Sequence, residues 1–537
     1  MSTNRKKILK ARDYLQSEEG TIIKNGRGNP SVALVYPNTY YLGMSNLGMQ
    51  TLYALFNADE DAVCERVFLP DEAVLRDTPL PRPLRSLEKQ RPVNDFDCVA
   101  FSISFENDYL YVLNILDLAG IPFYARERGE TDPIVIAGGA ALTINPEPIA
   151  DFMDAIFIGE AEEAAAEILE VLKSDLSRDT KITALGKIEG IYLPSETDFS
   201  DSPAVSSSIC PSNPKPNSLE NRVPLSWLRK YKRRVPHDIN GFPVETAVYT
   251  PYSEFGKLSL IEVQRGCGRG CKFCAEGFIY TPFRERDFGL IKEQVLRGLK
   301  YRPKIGLIGA DLLVYPQILE LMRFIHDSGG TFSPSSVRLD ALTPEIIAEL
   351  VKSEHKTLAI APEAGSSDLR RQINKKFDND AVIRSIENLL VGGIPNIKMY
   401  LMLGLPGEKH SDIDELIELV SSARGAVLLN AKKSGRMGNL ILSLNPFIPK
   451  PRTPYQVGVF EGIETLEDKV ALIKKKLVPQ GSIRVYYENP FFAYVQALLS
   501  NGRRHVGDYL IEVFKNQGLL KKSLAPFENS TRDKIAN

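Results

Sequence analysis

The stretch IEVQRGCGRGCKFCAEGFIYTPFRERD, residues 261–287, places three of the chain's six cysteines within eight residues. Cys267, Cys271 and Cys274 are interspersed with glycines, which can adopt positive φ and let a short loop wrap closely. No histidine and no further cysteine stands beside them. A structural zinc ion needs four protein ligands, and an electron-transfer iron–sulfur cluster normally takes four cysteines. The spacing therefore favours a metal centre that keeps one coordination position free of protein.

A [4Fe–4S] cluster fits this pattern best, because three thiolates can bind three of its irons and leave the fourth for an exchangeable ligand. A redox pair of Cys271 and Cys274 would leave Cys267 without a role. The loop also carries three basic side chains, Arg265, Arg269 and Lys272. Their positive charge is expected to lower the pKa of the thiols and to favour thiolates.

Composition limits the class of protein. The chain has 537 residues, 43% of them hydrophobic, and a formal net charge of −2. This length suits two or three domains, and the near-neutral charge argues against a protein that binds nucleic acid over its whole surface. The sequence has no apolar run long enough for a membrane span, and its polar N-terminus lacks the core of a secretory signal. We therefore expect a cytoplasmic protein.

An alternation of strand and helix patterns runs over residues 31–194. The strand-like runs are SVALVYP, AVCERVFL, FDCVAFSISF, DPIVIAGG and DAIFIGE, beginning at residues 31, 62, 96, 132 and 154. Helical stretches separate them, and one of these ends at Gly120, as a C-cap would. This order predicts a Rossmann-like, doubly wound parallel sheet. Its ligand would bind beyond the carboxyl ends of the strands, in the loops YPNTYYLGMSN, SISFEND and GGAALTINPEP.

Residues 195–250 are predicted to form a linker. Serine and proline fill 13 of the 25 positions from 194 to 218, which leaves few apolar groups to pack. A basic cluster follows, made of Arg229, Lys230, Lys232, Arg233 and Arg234. Such a run is interpreted either as a solvated connector or as a contact for a polyanion such as RNA.

A second alternating region covers residues 251–456. It has six strand candidates, KLSLIEVQ, KIGLIGA, TFSPSSVR, TLAIAP, NIKMYLML and NLILSLNPF. Six strand–helix units predict a complete or partial barrel, whose chemistry lies at the carboxyl ends of the strands. The distinctive motifs do follow strands: the cysteines, then GAD, PEAG, GLPGE and PKPRTP. Residues 457–537 are predicted to form a small, helical C-terminal extension.

The CxxxCxxC loop, with Phe273 before its last cysteine and at the end of the first barrel strand, resembles that of the radical S-adenosylmethionine (SAM) enzymes. The resemblance implies a partial (β/α)6 TIM barrel, a [4Fe–4S] cluster on the three cysteines, and SAM chelating the open iron. Reduction of the cluster would cleave SAM to a 5′-deoxyadenosyl radical that abstracts a substrate hydrogen. An external electron donor of flavodoxin or ferredoxin type is also implied.

The same resemblance assigns further positions to cofactor binding, in two of the strand-end loops. Gly309, Ala310 and Asp311 take the place of the family's Gly-Gly-Glu segment, which contacts the SAM amino group. Only the first glycine of that segment is kept here. Gly404 and Pro406, in GLPGE, match the fifth-strand turn that lies near the adenine.

Three charged residues complete this assignment. Glu363, in APEAGSSDLRRQINKK, would face the SAM ribose or amino group, and Lys375 would lie near the SAM carboxylate. Arg338, at the end of the third strand, is another candidate. The alternative role for all three is surface or interstrand ion pairing.

The whole arrangement, a Rossmann-like domain followed by a core ending NPFIPKPRTPYQ, resembles radical SAM proteins of the cobalamin-binding-domain type, of uncharacterised function. This implies cobalamin as a candidate cofactor and cobalamin-dependent methylation as a candidate reaction. No histidine precedes residue 237, however, so the N-terminal domain lacks the histidine that often ligates cobalt. A domain that has kept the fold and lost the cofactor is the alternative.

The substrate class stays open at this stage between RNA, lipid, peptide and small molecule. Cys64 and Cys98, the N-terminal cysteines, lie in strand runs and are interpreted as small core residues, which disfavours the second cluster of a methylthiotransferase. The alternative to a radical SAM enzyme is a non-catalytic protein that binds an iron–sulfur cluster or SAM.

Overall fold

The structure is a computed structural model, and it describes residues 3–71, 82–196, 231–335, 337–524 and 526–527. Their contacts divide into two compact units. The first contains the described residues up to Lys257 together with those from Leu498 onward, and the second contains Leu258–Ala497. Most of the predicted linker lies outside the described residues.

A six-stranded sheet forms the centre of the first unit. Its strands are β1 (Ser31–Thr39), β2 (Val63–Leu69), β3 (Cys98–Ser102), β4 (Ile134–Gly138), β5 (Ala155–Phe157) and β6 (Ile191–Tyr192). They lie in the order β2-β1-β3-β4-β5-β6, and only β6 is antiparallel to its neighbour. The predicted doubly wound parallel sheet is therefore confirmed. Its order reverses between β1 and β3, which makes the carboxyl edge there the usual ligand position.

Helices cover this sheet because its strands are apolar on both faces. Eight of the nine residues of β1 are buried, as in parallel strands covered on both sides. Cys64 and Cys98 are buried in the core, as predicted. The helices are α1 (Thr3–Ser17), α2 (Tyr40–Gly43), α3 (Leu47–Ala58), α4 (Val112–Ala119), α5 (Ala140–Ile144), α6 (Ala164–Lys173) and α7 (Arg178–Leu185). Gly120 caps α4 with φ 72°, a left-handed conformation that favours glycine.

The second unit contains nine strands. They are β7 (Ser259–Glu262), β8 (Gln264–Arg265), β9 (Arg284–Glu285), β10 (Lys304–Ile308), β11 (Thr331–Pro334), β12 (Thr357–Glu363), β13 (Asn396–Leu403), β14 (Leu440–Pro446) and β15 (Ile483–Tyr487). One parallel sheet has the order β11-β10-β7, another has the order β12-β13-β14-β15, and β8 pairs with β9. All six predicted barrel strands are present. Strand β15 is an addition, because the sequence predicts only helix after residue 456.

Helices follow the barrel strands, and the longer ones pack on one face of the two sheets. They are α8 (Glu276–Ile279), α9 (Phe288–Gly298), α10 (Ile318–Asp327), α11 (Pro344–Lys352), α12 (Ser367–Gln372), α13 (Asn379–Gly392), α14 (His410–Ser434), α15 (Ile463–Leu477) and α16 (Pro490–Asn501). Alternate residues of β13 and β14 are buried against these helices, and the residues between them are only partly buried. The consecutive parallel strands place all their carboxyl ends at one edge, where a barrel keeps its chemistry.

The last helix, α17 (Val506–Lys515), belongs to the first unit. It packs against α4 and the turn Glu147–Phe152. Its apolar face, which includes Leu510, is buried, and Phe514 contacts Phe123 with ring centroids 5.0 Å apart. The C-terminal segment therefore adds buried side chains to a unit whose sheet lies more than 300 residues earlier in the sequence.

Leu510→Ala is expected to destabilise the first unit by about 2–5 kcal/mol, because it removes a buried side chain from the apolar face of α17. The measurement is the urea dependence of protease cleavage within residues 31–194, mapped by mass spectrometry. Lys515→Ala, on the exposed side of the same helix, serves as the control and should change stability by less than about 0.5 kcal/mol. Equal effects of the two substitutions would contradict the packing of α17 on this unit.

Candidate metal centre

The cysteine loop lies at the carboxyl end of the first barrel strand. Cys267, Cys271 and Cys274 are all partly buried, and the Cys274 N–H donates to the Cys271 carbonyl at 3.1 Å. Gly266 has φ 77°, and a Cβ there would lie 2.2 Å from the Tyr280 carbonyl oxygen. Only glycine can therefore bring the chain this close to the segment that follows the cysteines.

Backbone hydrogen bonds fix the loop to two other strand ends. The Lys272 N–H donates to the Ile373 carbonyl, beyond β12, at 3.2 Å, and the Tyr455 N–H, beyond β14, donates to the Lys272 carbonyl at 3.1 Å. Asn374 has φ 68°, and its side-chain amide donates to the carbonyls of Arg269 at 2.8 Å and Gly270 at 3.1 Å. The loop is thus held from the fourth and sixth strands. The sequence does not predict that Asn374 holds the cysteine loop, because nothing local in QINKK indicates it.

Charged side chains lie at the second and third strand ends, near the cysteine loop. Arg269 forms an ion pair with Asp311, the last residue of the GAD segment. Arg338 does not end the third strand as predicted, because β11 stops at Pro334; it lies four residues later and binds Asp340 through two hydrogen bonds of 2.8 and 2.9 Å. Burial opposes the charge of Arg338, but Asp340 and Asp311 outweigh it, so the pKa of Arg338 is raised.

The remaining predicted cofactor positions lie in loops of the same edge. Lys375 Nζ is 3.3 Å from Glu363 Oε1 and also donates to the Ala361 carbonyl, so these two residues pair with each other. Glu363 itself has φ 68°, an uncommon conformation for a residue with a side chain. Gly404 has φ 83°, and its N–H donates to Glu408 Oε2 at 2.8 Å. Ala310 is partly buried beside Asp311.

Phe273 packs on a small apolar cluster rather than projecting into solvent. The cluster is formed by residues that follow three other strands: Ala364, Leu369, Ile373, Leu405 and Phe447. Pro406, next to Leu405, lies beside Gly458, where a Cβ would come within 3.1 Å of the proline ring. The aromatic side chain before the third cysteine therefore ties the cysteine loop to the fourth, fifth and sixth strand ends.

The expectation that basic residues would lower the thiol pKa values is wrong for two cysteines. Burial raises the pKa of Cys267, and burial raises the pKa of Cys274 to about 11. Two of the cations are already matched, since Arg269 binds Asp311 and Arg265 binds Glu262 at 2.9 Å. Desolvation of the thiolates then dominates.

Gln264 is a second residue that the sequence did not single out. It is 2% exposed, and neither its Nε2 nor its Oε1 has a hydrogen-bond partner among the described residues. It contacts Gly309, where a Cβ would come within 2.6 Å of the Gln264 side chain. Asp311 Oδ1 is also buried without a hydrogen-bond partner in the described part of the chain. Because unpaired buried polar atoms are costly, these groups fit a polar ligand beside the cysteines.

These features fit a [4Fe–4S] cluster with SAM. The three thiolates would each ligate one iron of the cluster. The polar groups near Gly309 and Glu363 match the charged amino-acid end of SAM. Among the described residues, no three histidine, cysteine or acidic side chains are grouped so as to hold a single metal ion.

Cobalamin would bind at the carboxyl edge of the first unit, in the loops after β1 and β3. The Asn38 amide donates to Asp108 Oδ1 at 2.8 Å and the Asn46 amide donates to Ser104 Oγ at 2.9 Å, so the loops after β1 and β3 are joined to each other. Burial raises the pKa of Asp108 to about 6. These loops contain no histidine. Cobalamin could be held here only without the histidine ligand, and the reaction proposed below does not use it.

Comparison with known proteins identifies the class. Residues 48–194 match the family model of radical SAM proteins, N-terminal, and residues 261–420 match that of the radical SAM superfamily. Uncharacterized protein MJ0966 of Methanocaldococcus jannaschii is 30% identical over 93% of this chain and 97% of its own length. A tRNA-2-methylthio-N(6)-dimethylallyladenosine synthase of Anaplasma phagocytophilum is 24% identical over 39% of this chain and 50% of its own length.

A solved structure of OxsB, a cobalamin-dependent S-adenosylmethionine radical enzyme, is similar over 94% of this chain and 71% of that one, with 15% identity and a TM-score of 0.49. The fold and the three-thiol loop define an enzyme of the radical SAM superfamily, whose cofactors are a [4Fe–4S] cluster and SAM. Within that superfamily, the chain belongs to the family of MJ0966. Among the described residues, none of the helices is both long enough and apolar enough to cross a membrane.

Asn374→Asp is expected to lower the iron content of the anaerobically reconstituted protein, because a carboxylate cannot donate to the Arg269 and Gly270 carbonyls. Asn374→Gly separates backbone from side chain, since glycine accepts φ 68° without strain but also lacks the amide. Both variants should bleach faster in air than the wild type, followed by visible absorbance and by iron and sulfide analysis. If only Asn374→Ala bleached faster, the backbone conformation would matter and the hydrogen bonds would not.

Alkylation of Cys274 in the cluster-free protein is expected to accelerate about tenfold per pH unit up to about pH 11, because only the thiolate reacts and its pKa is raised by burial. In urea, where the unfolded thiol has a pKa of about 8.5, the rate should level off above that pH. Iodoacetamide labelling with peptide mass spectrometry measures both rates. A plateau near pH 8.5 in the folded protein would contradict burial of this thiol.

Proposed function

We propose that this enzyme cleaves SAM reductively and directs the resulting 5′-deoxyadenosyl radical to a hydrogen atom of a substrate held by the barrel. The observation that carries this proposal is the loop Cys267–Cys274, which supplies three thiols and is fixed by hydrogen bonds from the fourth and sixth strand ends. When bound, a reduced [4Fe–4S] cluster supplies the electron that splits SAM into methionine and that radical. The electron would come from an external donor of flavodoxin or ferredoxin type.

The polar groups of the strand ends divide into those that suit the two charges of SAM. Asp311 Oδ1 and Glu363 are acceptors for its amino group, and Asp311 has a free buried oxygen for this purpose. Lys375 and Arg338 carry the positive charge that suits its carboxylate. Because Glu363 and Lys375 already contact each other at 3.3 Å, both are held in position before SAM arrives.

Phe273 and the apolar side chains that it packs against exclude water from one side of the cysteines. Its ring packs with buried side chains from the fourth, fifth and sixth strand ends. A radical that reacts with any accessible C–H bond must be kept from solvent and from unintended partners. The protein's contribution to the reaction is therefore orientation and exclusion, which is what a cofactor enzyme supplies.

We propose that the substrate is RNA and that the enzyme acts in the cytoplasm. One supporting observation is that a partial relative, the Anaplasma phagocytophilum synthase, is named for a modified tRNA nucleoside. The basic cluster before residue 235 gives little support. Lys232 binds Glu189 at 2.7 Å and Arg234 binds Glu167 at 2.6 Å, while Arg229 and Lys230 lie outside the described residues. Cations already paired with carboxylates contribute less to binding a polyanion.

The reconstituted and reduced enzyme is expected to release methionine and 5′-deoxyadenosine in equal amounts. Cys271→Ala should abolish both products, because it removes one of three cluster ligands. Cys98→Ala is the matched control: that thiol is buried in the core of the first unit and belongs to no predicted cluster ligand set, so its removal should leave product formation intact. Liquid chromatography with mass spectrometry measures both products after reduction by dithionite.

Two results would count against the proposal. A wild-type protein that holds its cluster and binds SAM but forms neither product would be the non-catalytic binding protein considered from the sequence. A protein whose iron is fully ligated by side chains, as judged by the absence of a spectroscopic change on adding SAM, would lack the open iron that the reaction needs.

A further inference from the structure

The face of β13, β14 and β15 that points away from the helices carries side chains that are partly buried on β13 and β14 and exposed on β15. On β13 the buried residues pack into the core with the helices, so Lys398, Tyr400 and Met402 lie on the opposite face. Strand β15 alternates in the same way, with Ile483 in the core and Arg484 and Tyr486 exposed. This inner face therefore carries polar and aromatic side chains, whereas the residues of β13 and β14 on the helix side are all apolar.

The strand register arranges these side chains in rows. Lys398 is aligned with Ile441, which is aligned with Arg484, so a row nearer the amino ends carries two cations. Two residues further along, Tyr400 is aligned with Ser443, and Ser443 with Tyr486. The rows are about 6.6 Å apart along the strands, and the two tyrosines are about 9.6 Å apart across them, with a small serine between.

A third row lies nearest the carboxyl ends, where Met402 is aligned with Asn445. Asn445 is partly buried, and its side-chain amide makes no hydrogen bond within the described chain. An amide offers two donors and an acceptor, the groups that the edge of a nucleobase matches. From the carboxyl ends of the strands toward their amino ends, the rows therefore carry first the amide, then the two tyrosines and then the two cations.

The two cations have no carboxylate partner among the described residues. Within the described residues, neither Lys398 nor Arg484 forms an ion pair, and the only contact of the Lys398 ammonium with a charged or aromatic group is the Tyr400 ring, 4.6 Å from its centroid. By contrast, Lys469, in the same unit, binds both Glu408 and Glu461 at 2.5 Å. Tyr486 is 58% exposed. A solvated basic surface would account for the cations, but it would not account for two tyrosines in register beside them.

We propose that this face binds a nucleotide of the substrate, with its base against Tyr400 and Tyr486 and its phosphate at Lys398 and Arg484. Aromatic faces stack on any base, and unpaired cations bind phosphate. The row order then turns the base and ribose toward the cysteine edge and the phosphate away from it. This deepens the proposed function and rests on it, because only that reaction gives the orientation a purpose. A free nucleotide and a nucleotide of an RNA chain share this chemistry.

The test uses the anaerobically reconstituted enzyme with SAM and a fluorescein-labelled, mixed-sequence, single-stranded RNA of about 20 nucleotides. Fluorescence anisotropy at several salt concentrations gives the affinity. Tyr400→Leu and Tyr486→Leu are each expected to weaken binding about 5- to 150-fold, the range for loss of one stacked base. The double variant Lys398→Gln, Arg484→Gln should reduce the salt slope by about 1.4, since two phosphate contacts are lost.

Matched controls lie on the helix side of β15. Tyr487 is on the strand itself, and Lys474 is on helix α15. Tyr487 is 47% exposed, and the Lys474 ammonium lies 5.1 Å from its ring centroid, so this pair has the same chemistry on the helix side. Tyr487→Leu and Lys474→Gln should leave RNA binding unchanged. Equal losses in the control and test variants would overturn the proposal, and so would unchanged affinity in Tyr400→Leu and Tyr486→Leu.

Competition separates the sources of the nucleotide. Complete displacement of the RNA by millimolar AMP or UMP would identify a free nucleotide, and displacement only by unlabelled RNA would identify the chain; either result supports the shared chemistry. Equally tight binding of labelled hexaglutamate would show that charge alone acts, and would overturn the role of the tyrosines. Methionine release by the same wild-type preparation is measured separately, so failure of SAM cleavage is distinguishable from failure of nucleotide binding.

Discussion

The tethering of one irregular loop is the constraint on which the rest of this enzyme depends. The segment from Gly266 to Cys274 has no helix or strand of its own, so its thiols hold their positions only because other strand ends bind its backbone. Ile373, Asn374 and Tyr455 make those bonds. Ordering such a loop costs about 1–2 kcal/mol per residue, and folding of the barrel meets that cost before any cluster is bound.

The folded loop positions the thiols for iron, but their burial opposes the loss of their protons. It raises the pKa of Cys267 and Cys274, so in the absence of iron these side chains remain protonated and less reactive. Iron must displace the protons as it binds, which couples assembly of the cluster to pH. The basic residues of the loop do not offset this, because Arg269 is committed to Asp311. That ion pair joins the cysteine loop to the GAD segment, so its contribution is to geometry.

The periodicity of the sequence was enough to predict the parallel sheets, the six barrel strands and the shared edge of the distinctive loops. It failed at Ile483–Tyr487, where arginine and tyrosine on a half-exposed strand remove the apolar alternation that marks β-structure. Sequence alone could not find Gln264 or Asn374, since their roles arise from contacts with residues 45 and about 105 positions away. The pairing of Glu363 with Lys375 likewise depends on a left-handed turn that no local pattern specifies.

Charge matching divides the second unit into a structural part and a part available to ligands. Arg265 and Arg286 both bind Glu262, because a buried charge without a partner is strongly destabilising. Lys398 is only partly buried and Arg484 is exposed, so neither charge is subject to that requirement, and such a solvated face is stable without a ligand. Strand β15 is what extends this face beyond the sixth strand. Chemistry at the strand ends and recognition along the strands can therefore vary independently, as loop and sheet positions do in other barrels.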